Sequence, residues 1–267
     1  MTTISKKHVE PLLWASLLRL TACALIFIYH FLVLQDQPSY GLGSYGLYIF
    51  FFLAGWFAVY GTKAPWTWLK GRLRRILVPY WPVIAVVLIA NRIVGYKETT
   101  LLKDAMTFAG LSFFVRDPVY VISWFITFLM MLDLSFFVFR VLEKNSLRVV
   151  YLVVLLAAAH VWVPLQIRAV ELFYIGAGLG YLKKVTDTVF PKNSDLEKRC
   201  LSPFFQQVNQ ALFRVQNYTY SFFLIHGAVL ILVIKGLKIS GVSALGLALF
   251  LSIAFAYAHN RLLRRFS

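Results

Sequence analysis

The sequence predicts an all-α, polytopic transmembrane helix bundle of about eight spans. Three observations carry this. Of 267 residues, 60% are hydrophobic and only 14% charged, with a mean hydropathy of +0.73; a soluble domain carries nearer a quarter charged residues. The apolar excess is spread along the whole chain in runs long enough to cross a bilayer. Polar and proline-bearing breakers punctuate those runs: Gln35-Asp-Gln-Pro38, Arg116-Asp-Pro118 and the stretch from Lys183 to Gln216.

In chain order the runs cover 12–34, 41–61, 78–94, 121–142, 149–165, 168–183, 218–235 and 241–260. The first follows Lys6 and Lys7 and contains Arg19, so it reads as an uncleaved signal anchor rather than a cleaved leader. In the second, Ala54-Gly55 permits close helix approach. Pro79 and Pro82 mark the start of the third. Residues 105–115 are apolar but short, which fits an interfacial or re-entrant piece. In the sixth, Gly176-Ala-Gly-Leu-Gly180 has no preceding strand, so it reads as a small-residue packing face, not a dinucleotide loop. The chain 1–267 forms a single transmembrane domain, with the inner loop 184–217 as a small cytoplasmic appendage.

The net charge of +16 would suggest nucleic acid for a soluble protein. Here the basic residues gather in alternate loops: Lys63, Lys70, Arg72, Arg74 and Arg75, then Arg140, Lys144 and Arg148, then Lys183, Lys184 and their successors. The intervening loops hold fewer, among them Arg92, Lys97 and Lys238. The positive-inside rule then places both termini in the cytoplasm, accounts for the charge, and leaves no nucleic-acid partner to invoke. Cys23 and Cys200 supply neither a disulfide framework nor a metal-binding spacing, so no metal is expected.

Polar residues inside the spans are functional candidates, because burying them in hydrocarbon is costly. Arg19 and His30 share the first span with nothing else strongly polar between them. Eleven residues make three turns plus about 20°, so both side chains lie on one face, separated by roughly 16 Å along the axis. His30 suits a general base, since an imidazole takes a proton from a hydroxyl near neutral pH. Arg72 and Arg75, three apart in the following inner loop, can hold phosphates. Asp133 lies deep in the fourth span and needs either Arg19 as partner or a polar pocket in which it stays protonated. Ser221 and His226 are five apart, about 140° around a helix, and are not a local nucleophile–base pair. His8, His160 and His259 sit near span ends and read as interfacial.

Four segments together resemble the integral-membrane acyltransferase family 3, multi-pass enzymes that transfer acyl groups, commonly acetyl, to hydroxyls of cell-surface sugars. They are Arg19 with His30; Phe50-Phe-Phe-Leu-Ala-Gly-Trp-Phe57, similar to a Phe-Phe-x-x-Ser-Gly-Phe pattern; Arg72-Leu-Arg-Arg75; and Tyr220-Ser-Phe-Phe-Leu-Ile-His226, similar to Tyr-Ser-x-Tyr-Leu-x-His. Trp124-Phe is a weaker match. The chain departs at Ala54, where a serine is usual, at Phe223, where a hydroxyl-bearing aromatic is usual, and in having fewer spans. The resemblance implies acetyl-CoA as donor, with a glycan or lipid-linked sugar as acceptor, in the cytoplasmic membrane. In that frame Arg72 and Arg75 meet the donor's phosphates and Arg19 lines the route inward. His30 is the base, while Trp124, Tyr220, His226 and Asp133 bind substrate or support the site. The competing class is a transporter or flippase with Arg19, His30 and Asp133 as a polar path. Against it, repeated halves and paired broken spans are not apparent.

Overall fold

The computed structural model describes residues 13–61, 63–115, 118–120, 122–162, 167–189 and 203–264, and among them there is no strand. Nine α-helices appear among these residues: α1 Leu13–Leu34, α2 Leu42–Ala58, α3 Pro65–Val94, α4 Leu101–Phe108, α5 Ser123–Val141, α6 Asn145–Trp162, α7 Ile167–Val189, α8 Pro203–Ile231 and α9 Gly241–Leu263. A 3₁₀ turn, Ser112–Phe114, follows α4, and a π-helical turn, Leu232–Gly236, closes α8.

Among the described residues, five helical stretches are long and apolar enough to cross a membrane: α1, α3, α5, residues Gln210–Gly236 and α9. This is a multi-pass membrane protein. Of the other expected spans, α2 and most of α6 are apolar but shorter, and α7 carries Arg168, Glu171, Lys183, Lys184 and Asp187 within its length. The short piece at 105–115 is α4 plus the 3₁₀ turn. It is tied down by Tyr80 Oη donating to the Thr107 carbonyl (2.5 Å) and Thr127 Oγ1 donating to that of Gly110 (2.6 Å).

The helices alternate in direction. Arg140, at the end of α5, donates from Nη2 to the carbonyls of Gly61 (3.2 Å) and Lys63 (2.8 Å), between α2 and α3. Lys184, late in α7, reaches the Val59 carbonyl. These ends, with the start of α6, form one basic end of the bundle. At the other end Gln35 Oε1, after α1, accepts from the Gly241 N–H that opens α9.

One expectation is corrected here. Pro79 and Pro82 lie inside α3, which begins at Pro65 and runs thirty residues. Leu, Lys and Arg before the prolines are good helix formers. Tyr220 Oη donates to the Ile76 carbonyl (2.8 Å) in the turn before Pro79, so a neighbouring helix supplies a donor where a proline weakens the ladder. The expected inner appendage is also largely helical where it is described: residues 184–189 finish α7 and 203–217 begin α8. Residues 190–202, Cys200 among them, lie outside the described residues, as does His8.

The tightest helix crossing is α2 on α7, and small residues make it possible. A Cβ on Gly55 would stand 1.8 Å from the Phe173 carbonyl oxygen, and one on Gly176 would stand 2.1 Å from that of Phe52. Gly180 likewise meets the Trp56 carbonyl. Behind this crossing a chain of edge-on and tilted rings fills the core: Phe223 to Phe125 (4.6 Å), Phe125 to Phe51 (5.1 Å) and Phe51 to Phe128 (5.3 Å).

Candidate active site

Along α1, Arg19 and His30 both face α2. The Arg19 guanidinium lies 5.6 Å from the Phe57 ring at the end of α2, while His30 shares a cavity with Gly43, Ser44 and Leu47 at its start. Gly43 and Gly46 bring the two helices this close, since a Cβ on either would strike Tyr29 or Ile26.

The cavity beside His30 has a volume of about 420 Å³. Tyr29, Ser44 and Tyr48 give it polar groups; Trp124, Phe125 and Phe223 wall it with rings. Behind His30, from α8, stands His226, ring centroids 5.4 Å apart. His226 is 1% exposed and stacks on Phe222. Its Nδ1 lies 3.2 Å from the Phe222 carbonyl, which can only accept, so Nδ1 carries the proton and Nε2 is a bare acceptor. That Nε2 is buried with no hydrogen-bond partner among the described residues. The loop before α5 closes this region: Tyr120 Oη donates to the Leu224 carbonyl, and Ile122 packs where a Cβ on Gly227 would stand.

A second polar cluster lies nearer the basic end. Asp133 is fully buried, and Arg72 grips it with both Nε (3.0 and 3.1 Å) and Nη2 (2.8 Å). Its partner is therefore Arg72, where the sequence pointed to Arg19 for a pairing. The geometry is the bidentate fork that makes arginine–carboxylate pairs strong and directional. The Arg72 guanidinium also lies 5.9 Å from the Trp68 ring. Arg75 is exposed and folds its Nε back to the Gly71 carbonyl (3.0 Å). Arg19 has no carboxylate within ion-pair distance among the described residues, and Arg72 is near enough to repel it.

The profile of one protein family, described as an acyltransferase domain, matches residues 12–193. The chain belongs to the family of membrane acyltransferases. The matched residues hold α1 to α7, and with them Arg19, His30, Arg72, Arg75, Trp124 and Asp133; α8, which brings His226 against His30, follows them. No curated protein and no solved structure matches the chain.

Of the residues singled out in the sequence of this acyltransferase-family protein, the fold brings His30, Trp124 and His226 together. It joins Arg72 to Asp133 and sets Arg19 near them. Tyr220 is tied to the α3 backbone rather than to the cavity. Tyr29, Ser44 and Tyr48 escape sequence reasoning, although Tyr29 adjoins His30 in the Arg19–His30 stretch. His259 is also corrected: it is buried, and its Nδ1 lies 2.9 Å from Ser221 Oγ. The two residues come from different helices, so no local spacing announces the pair.

Proposed function

We propose that this chain is a membrane O-acyltransferase of the cytoplasmic membrane. It moves an acyl group, acetyl in the simplest case, from acyl-CoA to a hydroxyl of a surface glycan or lipid-linked sugar. The observation that carries the reading is the polar-and-aromatic cavity with His30 on its wall and His226 behind it. A sugar hydroxyl entering between the rings of Trp124, Tyr29 and Tyr48 meets an imidazole with no hydrogen-bonded partner of its own among the described residues. Rings of this kind stack on sugar faces, and the hydroxyls of Ser44 and the two tyrosines offer polar contacts.

In the reaction the acceptor oxygen attacks the thioester carbonyl. His30 removes the hydroxyl proton as the C–O bond forms, the C–S bond breaks, and the coenzyme leaves as its thiolate or thiol. Arg19 and Arg75, cations without carboxylate partners among the described residues, suit the donor's phosphates. Arg72 is committed on one edge to Asp133, so its part is to hold the cluster's shape and present only its remaining edge. That commitment also takes Asp133 out of the polar path that a transporter would need.

The test is radiolabel transfer from acetyl-CoA to the glycan and lipid fractions of membranes bearing the chain, beside His30→Ala at equal insertion. The expected outcome is label that falls by about 10²–10⁴-fold in the variant, the usual contribution of a general base. Undiminished transfer by correctly inserted His30→Ala would end the general-base assignment.

A further inference from the structure

A second and larger cavity, about 630 Å³, opens at the basic end of the bundle, and nothing in the proposed transfer uses it. Three cations from three separate positions line it: Arg140 from α5, Arg148 from α6 and Lys184 from α7. No carboxylate does. Each of the three cations also donates to backbone carbonyls at a helix end: Arg140 to Gly61 and Lys63, Arg148 Nε to Leu142 (2.7 Å) and Lys184 to Val59 (3.3 Å).

Two helices also begin there. Pro65, the first residue of α3, and Asn145, the first residue of α6, both line the cavity. The first intrahelical bonds are Trp68 N–H to Ala64 and Arg148 N–H to Lys144, so the N–H groups before them have no acceptor within their helices. The positive ends of these two helices share the cavity with the negative ends of α2 and α5, whose carbonyls the three cations reach. Arg140 uses Nη2 on the Gly61 and Lys63 carbonyls, and its Nη1 is buried without an acceptor among the described residues. With three cations and no carboxylate on its lining, the cavity suits an anion.

The remaining walls say which kind of anion. Phe139, Val149, Leu152 and Ala177 line the cavity, and the outer face of α6 continues with Val150, Val153 and Val154, each about 60% exposed. A ligand with a phosphate at the basic end can thus lay hydrocarbon along α6. We propose that this cavity is a binding site for an anionic phospholipid, its phosphate held by Arg140, Arg148 and Lys184 and one acyl chain lying against α6. Basic pockets between helices at a cytoplasmic membrane face suit such headgroups.

Gly178 provides a clean probe. It lines the cavity, and a Cβ there meets nothing within 4 Å, so a side chain added at this position leaves the backbone without a clash. The experiment is native mass spectrometry of the full chain in detergent, titrated with phosphatidylglycerol or phosphatidylcholine. Three forms are compared: the unaltered chain, Arg148→Glu with Lys184→Glu, and Gly178→Phe. At roughly one kcal/mol per cation near the surface, phosphatidylglycerol is expected to be preferred by at least about tenfold at one site. Both altered forms are expected to bring that preference to near parity.

Equal retention of the two lipids by the unaltered chain would overturn the proposal. So would a preference that survives Gly178→Phe in a chain of unchanged helicity. Displacement of phosphatidylglycerol by soluble 3′,5′-ADP, lost in the same two altered forms, would assign the cavity to the nucleotide end of an acyl donor and overturn the lipid. No acyl transfer is measured, so these results stand apart from the fate of the catalytic reading.

Discussion

Asp133 shows how much one buried side chain decides. A carboxylate at that depth is tolerated only when paired, and the pairing fixes the edge that Arg72 presents. Asp133→Asn keeps the volume but leaves Arg72, only 18% exposed at its side chain, without its counter-ion. The expected loss is about 3–5 kcal/mol of stability, the cost of breaking a buried pair from one side. Replacing both partners with apolar residues is expected to recover most of it. Unfolding of the purified protein in detergent measures both, and a neutral Asp133→Asn would refute the pairing's structural weight. The sequence announced that Asp133 needed a partner, since charge in a span is conspicuous by composition alone. It did not announce which one, because Arg72 reads as part of a cytoplasmic loop until α3 is seen to begin at Pro65.

At the scale of the helix pair, the run Gly176-Ala-Gly-Leu-Gly180 divides into opposite behaviours. Gly176 and Gly180 touch the backbone of α2, while Gly178 faces the open cavity. Gly55→Val on the facing helix has to displace the Phe173 carbonyl, and at about 3 kcal/mol or more this exceeds an ordinary overpacked core. Gly178→Ala is expected to be neutral or stabilising by up to about 1 kcal/mol, the helix-propensity difference. Melting temperatures of the two variants check the contrast; equal effects would mean that the crossing is not where Gly55 and Gly176 put it. Small-residue spacing was legible as a packing face. Which glycine faces which neighbour was not, because that depends on the rotation of α7 about its axis, which its partners set. The prolines of α3 misled for a related reason: their weak point is supplied from α8, and a linear reading has no access to that donor.

For the molecule as a whole, the alternation of loops with and without basic residues agrees with the alternation of helix direction. Lys63, Arg140, Arg148 and Lys184 gather at one end, while Lys97 and the Gln35–Gly241 contact lie among the opposite connections. In a form lacking Cys23 and Cys200, single cysteines at positions 63 and 148 are expected to react with an impermeant thiol reagent only from the cytoplasmic side. Cysteines at 97 and 238 are expected to react only from outside. Labelling of all four from one side would refute the alternating arrangement. The multi-pass helical architecture was legible from apolar length and charge bias, both local properties that sum along the chain. The joining of α1 to α8 at His30 and His226 was not, since nothing in either helix's own pattern names its neighbour.

That junction has a consequence for biosynthesis. The wall that backs His30 comes from α8, and the Tyr120 hydroxyl that seats the cavity's rim also anchors on α8. A nascent chain that has delivered α1 to α7 into the bilayer therefore carries His30 but not the surface behind it. The cavity is completed only when one of the last helices leaves the translocon and threads in beside the first. A chain stalled before α8 therefore lacks that wall, however well α1 to α7 have packed.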